Sequence, residues 1–433
     1  YNTVDAIIVG RFVGKQALAA VASSGNLIFM MTGFFMGLFI GAGIVIAQYF
    51  GARNYEKVRS AVHTDIAFAL CCGVLLTLLG VFFTPTILTW MRTPADVLDT
   101  SILYFRLYFL GSLATILYNA GMGILQAVGD SRSPLYYLVI SSAVNVALDL
   151  LFVGAMDMGV AGAAVATIIG QFCGCALAIY FNHKKNTDIT LSIKGFRPDW
   201  SLIGEIYAIG LPSVIMVAIG SVMTFLMNKI LITYHSAHET AATAFGVYFK
   251  LNSFIFMPVF GMNNGIIPIV AYNYGAQNRR RMMETIKRGT LYASCIMVAG
   301  TILFQAIPGP LLSIFDATDT MMAVGIPALR IISLSFCMAG ACIALGSSFQ
   351  ALGKSLYSMV TSIVRQLVFL VPIAYVLARY GHSIGNDDLV WWSYPLAEIA
   401  SLLVTLVFFR RLYRTLIAPC LLYTSPSPRD RTR

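Results

Sequence analysis

The sequence predicts an all-α integral membrane protein: twelve transmembrane helices in two six-helix lobes, related by a pseudo-two-fold axis along the membrane normal. Three observations carry this reading: an apolar composition, a succession of long apolar runs, and a match of the chain to itself. Of 433 residues, 58% are hydrophobic and only 11% charged, with a mean hydropathy of +0.78. A soluble domain carries about 25% charged residues, so the composition excludes a soluble enzyme, a disordered chain and a disulfide-rich secreted scaffold. Cys71, Cys72, Cys173, Cys175, Cys295, Cys337 and Cys342 lie in apolar runs and read as small hydrophobes rather than disulfides.

A transmembrane helix needs roughly 20 mostly apolar residues. Spans are expected at 1–9 (partial), 18–48, 60–83, 99–127, 134–154, 159–182, 204–232, 240–272, 287–308, 321–351, 356–379 and 389–409. The runs well beyond twenty residues imply tilt or extension past the hydrocarbon. The corresponding domains are an amino-terminal lobe at 1–183, a cytoplasmic linker at 184–203 and a carboxy-terminal lobe at 204–417. The chain opens inside an apolar segment, so helix 1 is read as incomplete. Residues 418–433 break from the membrane pattern, and the run CLLYTSPSPRDRTR resembles a translated sequencing-adapter read-through, so the segment is set aside as a non-native tail.

The formal charge of +10 points to orientation rather than to nucleic acid. Basic residues crowd the connections after even-numbered spans: Arg53, Lys57 and Arg59; Lys184, Lys185, Lys194 and Arg197; Arg279, Arg280 and Arg281; Arg410, Arg411 and Arg414. The connections after odd-numbered spans are poor in them. Positive residues stay inside, which places both termini in the cytoplasm of a multi-pass inner-membrane protein.

The self-match sets Gly37 over Gly261, an offset of 224 residues, and with it Gly41 over Gly265, Gly51 over Gly275 and Asn54 over Asn278. The same register pairs Arg106 with Arg330, Gln126 with Gln350 and Gly129 with Gly353. An even number of spans per repeat gives the halves the same orientation, and a substrate site is expected between them.

Ionisable and polar groups inside a membrane are costly and are functional candidates. Asp5 sits at the outer end of span 1. Asn145 and Asp149 are one helical turn apart in span 5, and Thr167 lies eight residues into span 6. At 1.5 Å per residue all four fall in the outer half of the first lobe. The repeat supplies a control: Asp5 becomes Lys229, Asn145 becomes Phe369 and Asp149 becomes Ile373. The cluster therefore belongs to one lobe and is no requirement of the six-helix unit. Nearby carboxylates in a low dielectric take up a proton or hold Na⁺, and the oxygen ligands of Asp, Asn and Thr suit either.

Lys250, Arg365 and Glu398 lie well inside spans 8, 11 and 12. They are candidates for a substrate cavity, with pairing of the cations to Glu398 or snorkelling as the alternative. Arg106 and Arg330 lie nearer span ends and read as snorkelling. His235 and His238 have ligand-like spacing but read as a solvated outer turn. No resident metal or cofactor is expected. No nucleophile–base array or phosphate loop is apparent, which argues against an enzyme or a primary pump.

Twelve spans in two parallel repeats, together with VDAIIVGR at 4–11, YFGARN at 49–54, YNYGAQN at 272–278, QAVGDSRSP at 126–134, NVALD at 145–149 and WWSYPLAEI at 391–399, resemble the multidrug and toxic compound extrusion (MATE) transporters. The resemblance covers residues 1–417. It implies two lobes around a central cavity and a monomeric secondary transporter. It further implies export of cationic or amphiphilic small molecules by H⁺ or Na⁺ antiport through alternating access. In the DinF-like branch a helix-1 Asp, a helix-5 Asn and Asp and a helix-6 Thr bind the coupling cation, which carries over to Asp5, Asn145, Asp149 and Thr167. The NorM-like branch also uses acids in helices 7 and 10. Here helix 10 has none and Glu205 lies only at the start of helix 7, which favours the DinF-like side. A flippase for lipid-linked saccharides from the wider superfamily is the alternative, because four basic residues lie within spans.

Overall fold

The computed structural model describes residues 8–14, 33, 35, 37–90, 93, 95–185, 199–315 and 317–420, and among them there is no strand. The helices, numbered to match the expected spans, are α1 (8–12), α2 (Gly37–Gly51), α3 (Tyr55–Trp90), α4 in two arms (Ala95–Leu110 and Ser112–Ala127), α5 (Arg132–Ala155) and α6 (Gly159–Lys185). They continue as α7 (Trp200–Tyr234), α8 (Glu239–Gly275), α9 (Arg279–Ala306), α10 in two arms (Asp319–Ser333 and Phe336–Ala351), α11 (Ser355–Ile384) and α12 (Asp387–Ile417). Among the described residues eight helices are long and apolar enough to cross a membrane unbroken, and ten if the bent pairs α4 and α10 each count as one span. Much of spans 1 and 2 lies outside the described residues, as do most of the inter-lobe linker and residues 421–433.

The exposed faces explain the composition. On α3, Leu70, Leu75, Leu78, Phe82 and Phe83 stand away from the protein. A continuous apolar stripe of that kind is at home against lipid and would be a liability in water. Pro85, Pro212, Pro258, Pro268 and Pro327 sit inside helices, where neighbouring helices accommodate the freed backbone groups.

The repeat is visible in the backbone. α4 bends by 45° at Gly111 and α10 by 52° at Leu334–Ser335, one offset of 224 apart. After α2, Arg53 adopts a left-handed φ of 57°, and after α8 Gln277 does the same at 55°. The next residue then caps the following helix: Asn54 Oδ1 accepts from Lys57 N and Asn278 Oδ1 from Arg281 N, both at 3.1 Å. Gly129 and Gly353, also equivalent, turn the chain with φ of 92° and 74°, a conformation that glycine adopts without steric cost.

The chain divides into two compact units, Tyr1–Gly210 and Leu211–Arg433. The first third of α7 thus packs with the amino-terminal helices, placing the division seven residues beyond the expected start of the second lobe at 204. Its reason is backbone contact: a Cβ on Gly210 would lie 2.8 Å from Leu38 Cα, and one on Gly41 would lie 2.5 Å from the Ile206 carbonyl oxygen. Unit 2 has an aromatic core in which Phe245, Phe304, Phe336 and Trp391 are almost wholly buried. In unit 1 Phe105 and Phe109 on α4 fill the corresponding role against α3.

Candidate functional site

The polar cluster of unit 1 is built by α5 and α6. α5 is regular from Arg132 through Asp149 and then widens into a π-helical stretch over Leu150–Ala155. Such wide turns recur at functional sites, because they free backbone groups and re-aim side chains. The neighbouring helix comes close through small residues. A Cβ on Gly170 of α6 would lie 2.9 Å from Asn145 Cβ, and one on Gly174 would lie 3.3 Å from Ser141 Cβ. This small-xxx-small spacing lets helices in lipid gain van der Waals contact at short range.

The result is a sealed polar site. Asp149 is 0% exposed, and Asn145 and Thr167 are each 1% exposed. Neither amide atom of Asn145 has a hydrogen-bond partner among the described residues. Thr167 Oγ1 donates to the Ala163 carbonyl at 2.9 Å, so its lone pairs remain able to accept or to ligate. The structure thus buries three of the four expected coupling residues on one helix pair. Asp5, the fourth, lies outside the described residues.

Two further buried polar groups of unit 1 were not singled out by the sequence. Asp65 on α3 is 3% exposed, and Gln171 on α6 is 6% exposed. The rule that singled out Asp149, an acid within a span, applies equally to Asp65. Nothing in the sequence distinguishes Gln171 from a glutamine facing lipid headgroups.

The substrate-cavity candidates of unit 2 separate. Arg365 and Glu398 are brought together: Arg365 Nη1 donates to Glu398 Oε1 at 3.2 Å, with the Arg365 side chain 24% exposed and that of Glu398 10%. Arg365 lies in a π-helical stretch of α11, Val364–Leu370. Lys250 stands apart, exposed, with Nζ 5.7 Å from the centre of the Phe315 ring. Arg106 is exposed and its Nε donates to the Val81 carbonyl at 3.2 Å. Glu205 accepts a 2.8 Å hydrogen bond from Tyr49 OH at the start of α7.

One expectation is corrected. His235 is not solvated: it is 6% exposed, while His238 remains on the surface. The turn after α7 folds under the start of α12, where Asp387 Oδ2 accepts from Ser236 N at 2.8 Å and lies 3.9 Å from His235 Nδ1. Burial, opposed by Asp387 and Asp388 and aided by His238, pulls the His235 imidazole below the usual histidine range.

The sequence profile of the MatE family matches residues 1–151 and 212–376, more than half of the chain. The chain belongs to the MATE family. MATE proteins are transporters, not enzymes, which accords with the membrane-spanning architecture. Among curated relatives, the probable multidrug resistance protein YoeA of Bacillus subtilis is 28% identical over 95% of this chain and 89% of its own length. The multidrug export protein MepA of Staphylococcus haemolyticus is 24% identical over 92% of this chain and 86% of its own length. A probable multidrug resistance protein NorM of Thermotoga maritima is also 24% identical, over 88% and 82%. Solved structures share the fold. A MATE protein in its straight conformation matches with a TM-score of 0.87 at 23% identity over 96% of this chain and 92% of its own. An outward-facing MATE transporter of the MOP superfamily gives the same values.

Proposed function

We propose that this MATE transporter is a monomeric secondary antiporter of a bacterial plasma membrane, with both termini cytoplasmic. It exports cationic or amphiphilic small molecules by alternating access, driven by inward H⁺ or Na⁺. The observation that carries the reading is the sealed cluster of Asp149, Asn145 and Thr167, whose Asp149 and Asn145 are replaced by Ile373 and Phe369 at the same offset in the other repeat. A fold built twice has no structural need of a buried carboxylate that only one copy carries at this position. Loading a cation there neutralises Asp149, lowers the cost of its burial and changes how the surrounding helices pack. The names of the curated relatives, multidrug resistance and export proteins, support small-molecule drugs as the cargo. Asp5 would add a second carboxylate, as in the DinF-like branch.

A flippase for lipid-linked saccharides would use unneutralised basic groups to hold anionic headgroups. The pairing of Arg365 with Glu398 weighs against it. Gradient-driven efflux from proteoliposomes tests the antiporter reading: Asp149→Asn is expected to abolish coupling to both ΔpH and a Na⁺ gradient. Full coupled export by this variant would overturn the assignment.

A further inference from the structure

The buried polar face of α6 does not end at Thr167. One turn further along the same face lies Gln171, which is 6% exposed, and neither atom of its amide group has a hydrogen-bond partner among the described residues. A buried amide is normally paired, and one left unsatisfied is a cost that a scaffold alone has no reason to retain.

Its direction is informative. With about 100° of rotation per residue, Gly170, Thr167 and Gln171 fan over roughly 100° of the helix, with Thr167 between the other two. The Gly170 edge meets Asn145 on α5. The Gln171 edge meets α4 at its bend, where a Cβ on Gly111 would lie 2.4 Å from Gln171 Oε1. The amide therefore lies against bare backbone at the 45° break, and glycine at 111 leaves it that room. Two unsatisfied amide groups, Asn145 and Gln171, thus lie at the two edges of the α6 face that carries Thr167.

We propose that Gln171 is a ligand of the coupling-ion site, its amide oxygen joining those of Asp149, Asn145 and Thr167 in a set that binds Na⁺. This rests on the ion-coupled reading above and deepens it. A proton needs a single base, whereas a hard monovalent metal ion is held by several oxygens at once. Among the described residues the set offers one carboxylate and three neutral oxygens, and a bound Na⁺ offsets the charge of Asp149 in an interior of low dielectric.

The test is a Na⁺ titration of thermal unfolding, using the purified full chain in lipid nanodiscs with choline replacing Na⁺ at constant ionic strength. The wild type is expected to be stabilised by Na⁺. Q171L is expected to unfold like the wild type in choline, to need about tenfold more Na⁺ for the same stabilisation, and to keep the same dependence on pH. Q171M, which retains volume without the oxygen, gives the same reading where Q171L does not purify. Should both variants titrate like the wild type while D149N loses its Na⁺ response, the role of Gln171 falls and the coupling assignment stands. Absence of any Na⁺ response in the wild type also overturns the Gln171 proposal; the antiporter reading then stands or falls on proton-driven flux in proteoliposomes.

Discussion

Gly170 on α6 lies directly against Asn145 on α5: a methyl at position 170 would fall 2.9 Å from Asn145 Cβ and 3.2 Å from the Ser141 carbonyl oxygen. Both obstacles are backbone or next to it, so neither can swing aside. Gly170→Ala should therefore push the two helices of the polar site apart and cost about 1–3 kcal/mol, the range for overpacking. Gly204→Ala is the control, since nothing lies within 4 Å of its Cβ. Thermal unfolding in nanodiscs should show a lower midpoint for the first substitution and an unchanged or raised one for the second.

The Arg365–Glu398 pair predicts a characteristic pattern in a double-mutant cycle. Removing either partner leaves the other charge buried, which costs about 3–5 kcal/mol for a sealed pair. The low end applies here, because the Arg365 side chain keeps 24% of its surface. Glu398→Gln and Arg365→Met should each lower the unfolding midpoint, and the double variant should be more stable than either. Additive losses would show that the 3.2 Å contact contributes no coupling energy.

His235 gives a pH dependence with a definite sign. Its Nδ1 accepts from Ala237 N at 3.1 Å, so the neutral ring is the form that fits, and charging it breaks that bond. Its pKa in the folded protein lies below the ordinary value of about 6.5. Above that ordinary value the group contributes nothing to the pH slope. As pH falls through it, the unfolded chain takes up a proton that the folded chain refuses, and stability drops until the folded-state value is passed. Melting curves between about pH 5 and pH 8 should show a smaller acid loss for His235→Gln than for the wild type. An equal loss would place the acid sensitivity elsewhere.

The two helix caps predict equal effects. Asn54 and Asn278 each accept a 3.1 Å hydrogen bond from the third residue of the following helix. Replacing either with Ala should cost about 1 kcal/mol. Chemical or thermal unfolding of the two single variants should give similar losses, because the local geometry is the same at both sites.

Much of this was legible in the sequence, for physical reasons that can be named. Long apolar runs reveal where helices cross, because lipid tolerates neither charge nor unpaired backbone. The offset of 224 recurs in the paired bends, the paired left-handed residues and the paired caps, because local backbone geometry follows local sequence. Asp149 and Asn145 stood out because a turn of helix places them on one face. Asp65 was equally visible and was passed over.

His235 and Gln171 were out of reach. The burial of His235 depends on Asp387 and Trp391, more than 150 residues away in the chain, folding over a short turn that local sequence renders as solvated. The isolation of Gln171 depends on Gly111 and the bend in α4, and no periodicity records which way an α6 residue faces relative to another helix. The sequence by itself determined the solvent, the helices, the internal duplication and the lobe that holds the buried carboxylate, since each follows from composition or from spacing along one helix. Only the tertiary structure decided which polar groups are sealed, which cation meets Glu398 and which amides go unsatisfied. Those depend on contacts between segments distant in the chain, and close helix packing in lipid fixes them at the scale of a single methyl group.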